Sequence, residues 1–311
     1  MRAFYCDHFE LPLPDGHRFP MEKYRLLRKR IETAEHIDLT VPEAITSEAL
    51  GRVHTPGYLA RVTNGSLSRE EIRRIGFPWS PQLVERSRRS VGGTVAAARA
   101  AVEDGAAVNL AGGTHHAFPD RGEGFCVFND VAVAIRCLQA DGTASRSAVL
   151  DLDVHQGNGT AAIFGTDDSV FTLSIHGANN FPFHKERSDV DVDLPDGADD
   201  DTYLDAVDKA VPRALTDGVD LAFFIAGADP FDGDRLGRLA VTKVGMRERD
   251  AIVFDACSKA GVPVAVVMSG GYASSVVDTV DIHEATVRAA ARAASARAPA
   301  GGSPAAVGSP S

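Results

Sequence analysis

Residues 151–160 read DLDVHQGNGT and follow the run SAVL at 147–150. A short apolar run bounded by turn chemistry reads as a buried strand. Side chains alternate along a strand, so Asp151, Asp153 and His155 are expected to share one side. Gly157 and Gly159 then turn the chain. Asp153 and His155, at a strand end, can reach one cation, and a third anionic ligand from a neighbouring strand would complete the set. The plain alternative is a strand end whose carboxylates cap the next helix.

Working outward, the same pattern recurs. Strands are expected at 1–7, 106–112, 147–154, 169–175, 221–228 and 262–269. Helical patterns fall at 21–36, 81–105, 129–140, 200–216, 246–260 and 280–297. The helix at 81–105 is opened by Pro81 and stopped by Gly105. The strands are continuously apolar, which marks a sheet covered on both faces and therefore parallel. Alternation of strands and helices predicts a doubly wound α/β fold. No linker divides the chain, so one domain is expected over 1–297. The Ala/Gly/Pro/Ser-rich stretch 298–311 reads as a disordered tail.

In such sheets ligands bind beyond the carboxyl ends of the strands. Five strand ends carry chemistry: GTHHAF after the strand at 106, DLDVHQGNG after 147, HGANNFPF after 169, ADPF after 221, and SGGY after 262. Asp229, in ADPF, is the candidate third ligand for Asp153 and His155. Three protein ligands with an open fourth position make a catalytic metal site. Two carboxylates and an imidazole suit Zn²⁺, Fe²⁺, Co²⁺ or Mn²⁺. Tandem His115 and His116 suit a general base and acid, because imidazole is poised near neutral pH. Asp151 can orient one of them and Asn158 the other. Tyr272, after two glycines, can donate to an oxyanion. Phe125, beside Gly124, and Phe181 can wall a channel around an aliphatic stem.

The bulk properties are those of a soluble globular protein. The 311 residues carry a net charge of −11, which argues against direct nucleic-acid or anionic-membrane binding. The four cysteines are scattered without a CxxC pair, which predicts reduced thiols and a cytoplasmic location. MRAFYCDHFELPLP lacks the order of a signal peptide, and runs such as VPVAVVM are too short to span a bilayer.

Taken in order, GTHHA, RGEGFCVFND, DLDVHQGNG, GADPF…DRLG and SGGY closely resemble the metal-dependent histone deacetylase superfamily. That superfamily includes acetoin-utilisation proteins and acetylpolyamine amidohydrolases. The likeness runs from about Val53 to Tyr272, and Gln156, Asn158 and SGGY look most like the class IV branch. The resemblance implies a three-layer arginase/deacetylase-like fold with a central, mainly parallel sheet. It implies Zn²⁺ on Asp153, His155 and Asp229, with Fe²⁺ or Co²⁺ as substitutes. It makes His116 the main base and acid, His115 its electrostatic helper on Asp151, and Tyr272 the carbonyl-polarising donor. K⁺ is implied near Asp151, Asp153, His155, Ser174 and Ile175. Phe125, Phe181 and Gly124 would flank the stem of an acyl-lysine in a peptide or protein, or of an acylated small amine.

The chain also departs from the family. The rim region reads RIGFPWSP (74–81), with Phe77 and Trp79 and no acid to clamp a peptide backbone. Two other chemistries compete. A two-metal ureohydrolase needs a bridging carboxylate, but the position two after His155 is Gly157. A non-catalytic acyl-lysine binder would be marked by loss of a ligand or of the tyrosine, and neither is lost.

Overall fold

The continuous apolar runs form strands buried on both faces, and the computed structural model describes them within residues 1–216 and 218–297. The expected tail at 298–311 lies outside the described residues. The strands are β1 (Arg2–Phe4), β2 (Asp38–Thr40), β3 (Ala106–Asn109), β4 (Ser147–Asp151), β5 (Val170–Gly177), β6 (Val190–Leu194), β7 (Leu221–Ala226) and β8 (Val264–Met268). They form one sheet in the order β2-β1-β3-β8-β7-β4-β5-β6, and every neighbouring pair is parallel.

The helices are α1 (Glu22–Ile31), α2 (Ser47–Leu50), α3 (Pro56–Asn64), α4 (Arg69–Ile75), α5 (Pro81–Asp104), α6 (Asp130–Asp141), α7 (Asn158–Phe164), α8 (Asp200–Ala214), α9 (Lys243–Ala260) and α10 (Val276–Arg297). Strand β7 shows why they form two layers. Its Ala222, Phe224 and Ala226 pack in a core with α1, α8, α9 and α10. Its Leu221, Phe223 and Ile225 face the opposite core, under α3, α5 and α6. Each fully buried Phe or Leu contributes about 1.5–3 kcal/mol, so both faces of the sheet must be covered. Local signals set the ends of α5. Ser80 caps it by accepting from Leu83 N at 3.1 Å, and Gly105 closes it at φ 86°.

Several strands end earlier than their apolar runs suggest, and the difference matters for the site. Strand β4 stops at Asp151, so Asp153 and His155 stand on the following loop and not on alternate strand positions. The loop N–H groups leave the sheet ladder for carboxylates. Asp153 N donates to Asp151 Oδ1 at 3.2 Å, and Val154 N to Asp229 Oδ1 at 2.9 Å. Likewise β3 ends at Asn109, and the amides of Gly113 and Thr114 bond Asp130 at 3.0 and 2.7 Å. The expected strand at 1–7 is shortened to β1. Strands β2 and β6 and helices α2, α3, α4 and α7 add to the elements expected from the sequence pattern.

Candidate functional site

The five strands whose ends carry chemistry, β3, β8, β7, β4 and β5, are consecutive neighbours in the sheet. Segments more than 150 residues apart in sequence, such as Thr114 and Gly270, therefore open at one edge. A cavity of about 540 Å³ lies there. His115, His116, Gly124, Phe125, Asp153, His155, Phe181 and Tyr272 line it. Asp151, Asn158 and Asp229 are buried next to these side chains and hold them from behind.

Asp153, His155 and Asp229 each offer a ligand atom within 4.8 Å of the others, and all three are buried. His155 Nδ1 lies 2.9 Å from Asp153 Oδ1 and 3.2 Å from Asp229 Oδ2. Asp229 Oδ2 is buried without a hydrogen bond. Burial, then repulsion by Asp153, pushes the Asp229 carboxyl up to about 7. Burial lowers His155, but its hydrogen bond to Asp153 and the nearby Asp229 carboxylate outweigh that and push it up to about 10. Two buried carboxylates with one orphaned oxygen call for positive charge at their focus, which fits a divalent cation. Glycine is required beside them: a Cβ on Gly270 would sit 1.7 Å from Asp229 Oδ2. The Gly270 amide instead donates to Asp153 Oδ2 at 2.8 Å.

The tandem histidines have different partners. His115 Nδ1 lies 2.7 Å from Asp151 Oδ2, and His116 Nδ1 lies 2.7 Å from Asn158 Oδ1. Their loop is fixed by Asp130, which is fully buried. Its carboxylate accepts from Thr94 Oγ1, Gly113 N, Thr114 N and Thr114 Oγ1. Asn129 caps α6 by accepting from Ala132 N, and its Nδ2 donates to Ala117 O at 3.2 Å.

Tyr272 is nearly buried, and burial, then Asp229 and Asp153, hold its phenol well above the usual range, so it stays a donor. Its backbone is clamped: Tyr272 N donates to Asp234 Oδ2 at 2.5 Å, and Tyr272 O accepts from Arg235 Nε at 3.0 Å. The Phe181 ring meets His116 edge-on at 4.9 Å. Phe125 lies 5.9 Å from the Tyr272 ring and adopts φ 66°, a conformation sparsely populated by non-glycine residues. Asp151 stands opposite Ser174 in the β4–β5 register, and Ser174 Oγ is 2.9 Å from His176 Nδ1. Ile175 is fully buried beside it.

The Histone deacetylase domain family matches residues 17–287. The chain is 45% identical over 290 residues to an uncharacterized protein of Picosynechococcus sp., covering 92% of this chain and 97% of that one. It is 37% identical over 251 residues to histone deacetylase 2 of Arabidopsis thaliana, covering 78% of this chain and 62% of that protein. It is 32% identical over 291 residues to a histone deacetylase-like amidohydrolase of Pseudomonas aeruginosa, covering 86% and 75%. The chain belongs to the histone deacetylase family. Its fold is that of a solved HDAC homolog from Aquifex aeolicus, with a TM-score of 0.79 at 23% identity over 94% of this chain and 84% of that one. The architecture is thus the three-layer arginase/deacetylase-like fold.

Several residues around this deacetylase-family site were missed by sequence reasoning. Lys23 is buried behind the SGGY turn. It donates to Ser269 O at 3.0 Å and lies 5.2 Å from the Tyr272 ring. Fully buried Arg249 bonds Asp250 and the Gly227 carbonyl, two residues before Asp229. The rim differs from the expectation built on Phe77 and Trp79. Phe77 is buried 5.2 Å from Phe125, and Trp79 donates its Nε1–H to Val62 O at 2.7 Å; neither lines the cavity. Arg18, Arg74, Arg238 and Phe183 stand there instead. No described helix is long and apolar enough to cross a membrane.

Proposed function

We propose that the protein is a metal-dependent deacylase that hydrolyses the amide of an N-acetyl or longer-acyl lysine, or of a related acylated amine. The observation that carries this reading is the meeting, in one cavity, of the Asp153–His155–Asp229 donor set with two histidines and a tyrosine. These three residues would hold the divalent ion, Zn²⁺ by donor type with Fe²⁺ or Co²⁺ as substitutes. When bound, it supplies Lewis acidity toward the acyl carbonyl and the attacking water. Among the described residues this is the single cluster of its kind, which supports one ion over the two of a ureohydrolase.

His116 takes a proton from water at Nε2 and returns it to the leaving nitrogen. His115, whose basicity Asp151 raises, steadies the developing negative charge. The Tyr272 hydroxyl donates to the carbonyl oxygen as it becomes an oxyanion. Phe125 and Phe181, with Gly124 between His116 and Phe181, grip the aliphatic stem and keep bulk water from the carbonyl. K⁺ beside Asp151, Asp153, His155, Ser174 and Ile175 would steady the loop after β4. Gln156, Asn158 and SGGY support placement near the class IV branch, and reduced buried cysteines support a cytoplasmic setting.

Tyr272→Phe tests the reading. It should retain one metal ion per chain by elemental analysis and lose about 10²–10³-fold in kcat on an acetyl-lysine peptide. Near-native hydrolysis by that variant would remove Tyr272 from the reaction. No hydrolysis of acylated amines by the native, metal-loaded chain would reject the deacylase reading itself.

A further inference from the structure

Asn158 does not end the hydrogen-bond chain that starts at His116. Its Nδ2 donates to Glu123 Oε1 at 2.6 Å. His116 and Asn158 are buried, and the Glu123 side chain is only 14% exposed. The other carboxylate oxygen of Glu123 faces the Arg121 guanidinium at 3.9 Å. The three side chains form a line: imidazole, amide, carboxylate.

The middle member is the weak link in such a line. An asparagine amide carries a donor on one side and an acceptor on the other, and a half-turn exchanges them with almost no change of shape. With Oδ1 toward His116, Nδ1 of the ring must carry hydrogen, and Nε2 keeps a free lone pair. With Nδ2 toward His116, Nδ1 must accept, and the hydrogen moves to Nε2. The second tautomer cannot take a proton from anything in the cavity. Asn158 alone does not choose between them.

Glu123 does. A carboxylate only accepts, so it selects the orientation in which Asn158 presents Nδ2. The flipped amide would set two oxygen lone pairs against each other at 2.6 Å in a buried position. We propose that Glu123 is a positioning residue that locks the Asn158 amide and thereby fixes His116 in the Nδ1–H tautomer. The effect on turnover rests on the deacylase reading above, whereas the tautomer does not.

Glu123→Gln is the test, because it keeps the shape and can keep the hydrogen bond while it removes the acceptor-only character, along with the charge that faces Arg121. The amide introduced at position 123 can flip together with Asn158. Two-bond ¹⁵N–¹H correlations of ring-labelled histidines in the full chain, with and without added zinc, read the tautomer directly. The His116 signals are assigned by their loss in His116→Ala. The native chain should show His116 with hydrogen on Nδ1 alone. Glu123→Gln should add the Nε2–H form and lower kcat about tenfold at little change in KM. Combining Glu123→Gln with Asn158→Asp should restore hydrogen on Nδ1 in every neutral ring, since the carboxylate then in the middle of the line accepts from both neighbours. Because that carboxylate also makes the ring more basic, this spectrum is taken at a pH high enough for the imidazole to be neutral.

An unchanged tautomer in a folded Glu123→Gln chain overturns the proposal. So does a double variant that keeps the mixture. A tautomer shift without a change in kcat upholds the lock and instead removes His116 from the proposed chemistry.

Discussion

His115 and His116 are consecutive, both are buried, and their rings lie 4.1 Å apart, yet the chain's own charges drive them in opposite directions. Burial lowers His115, but Asp151 and then Asp153 outweigh it and push the ring up to about 9. Burial lowers His116 as well. His115 and His155 lower it further, and the neutral Asn158 gives back little, so it ends well below the usual range. His54 serves as an internal control. It is buried, Nδ1 donates to Phe118 O at 3.0 Å, and Nε2 accepts from Asn129 N at 3.1 Å. With only backbone partners, burial takes it down to about 4. Burial therefore fixes one sign for all three, and only a carboxylate at Nδ1 reverses it. One strand-end loop thus carries an imidazole driven toward its charged form beside one driven toward its neutral form, sorted by Asp151 and Asn158.

The largest expected effect is the division of labour itself. If the neutral ring is the base, His116→Ala should lower kcat on an acetyl-lysine peptide about 10³-fold, or ~4 kcal/mol. His115→Ala removes only electrostatic help and should cost about tenfold, or ~1.4 kcal/mol. Equal losses would break the contrast, and a larger loss at His115 would invert it.

The control histidine gives the next effect, on stability. The His54 pKa is lower in the folded chain than its unfolded value near 6.5. As pH falls below 6.5 the unfolded chain takes up a proton that the folded chain resists, so stability is lost down to about pH 4. The loss is on the order of 3 kcal/mol. His54→Gln keeps a donor for Phe118 O and an acceptor for Asn129 N but cannot titrate. Urea unfolding between about pH 4 and 7 should show the native chain losing stability toward acid more steeply than the variant, the difference between the two curves growing as pH falls. Parallel curves would mean that His54 is not held neutral by its surroundings.

What the sequence disclosed about this arrangement follows physical locality. The apolar runs around β3, β4, β5, β7 and β8 are visible because a strand buried on both faces must be apolar throughout. The residues at their ends are visible because ligand chemistry is compressed into a few positions, as in DLDVHQGNG. The strand alternation invoked for Asp151, Asp153 and His155 does not apply, since β4 ends at Asp151. Convergence comes instead from loop amides turned onto carboxylates, a bond that leaves no periodic trace. Strand β6, VDVDL, is polar at alternate positions because it lies at the sheet edge, and β2 has only three residues. Lys23 falls in a segment that reads as a basic helical face, yet it turns inward to carbonyls 246 and 248 residues away. Glu123 falls inside RGEGFCVFND, but nothing local gives it a role, because its partner Asn158 is 35 residues further on. Such residues are defined by what the fold brings to them.

The smallest effect separates the frame that holds the histidine pair from the chemistry assigned to it. Thr160, in α7, binds the histidine loop twice. Its amide donates to His115 O at 3.1 Å and its Oγ1 donates to the same carbonyl at 3.5 Å, while Oγ1 also accepts from Asn129 Nδ2 at 3.0 Å. Thr160→Val keeps the amide bond and the side-chain volume but removes both hydroxyl bonds. His115 O keeps the Thr160 amide, and Asn129 Nδ2 keeps Ala117 O for one of its two hydrogens, so one buried N–H loses its partner. The cost should be about 1–2 kcal/mol of unfolding free energy, within the range for leaving one buried neutral donor without its partner. A chain of this size would then melt a few degrees lower. The two Nδ1 partners, Asp151 and Asn158, are untouched, so the contrast between His115 and His116 should survive with kcat within about twofold of native. A stable Thr160→Val chain with a kcat depressed like that of His115→Ala would show that loop placement, and not partner charge, sets the two histidines apart.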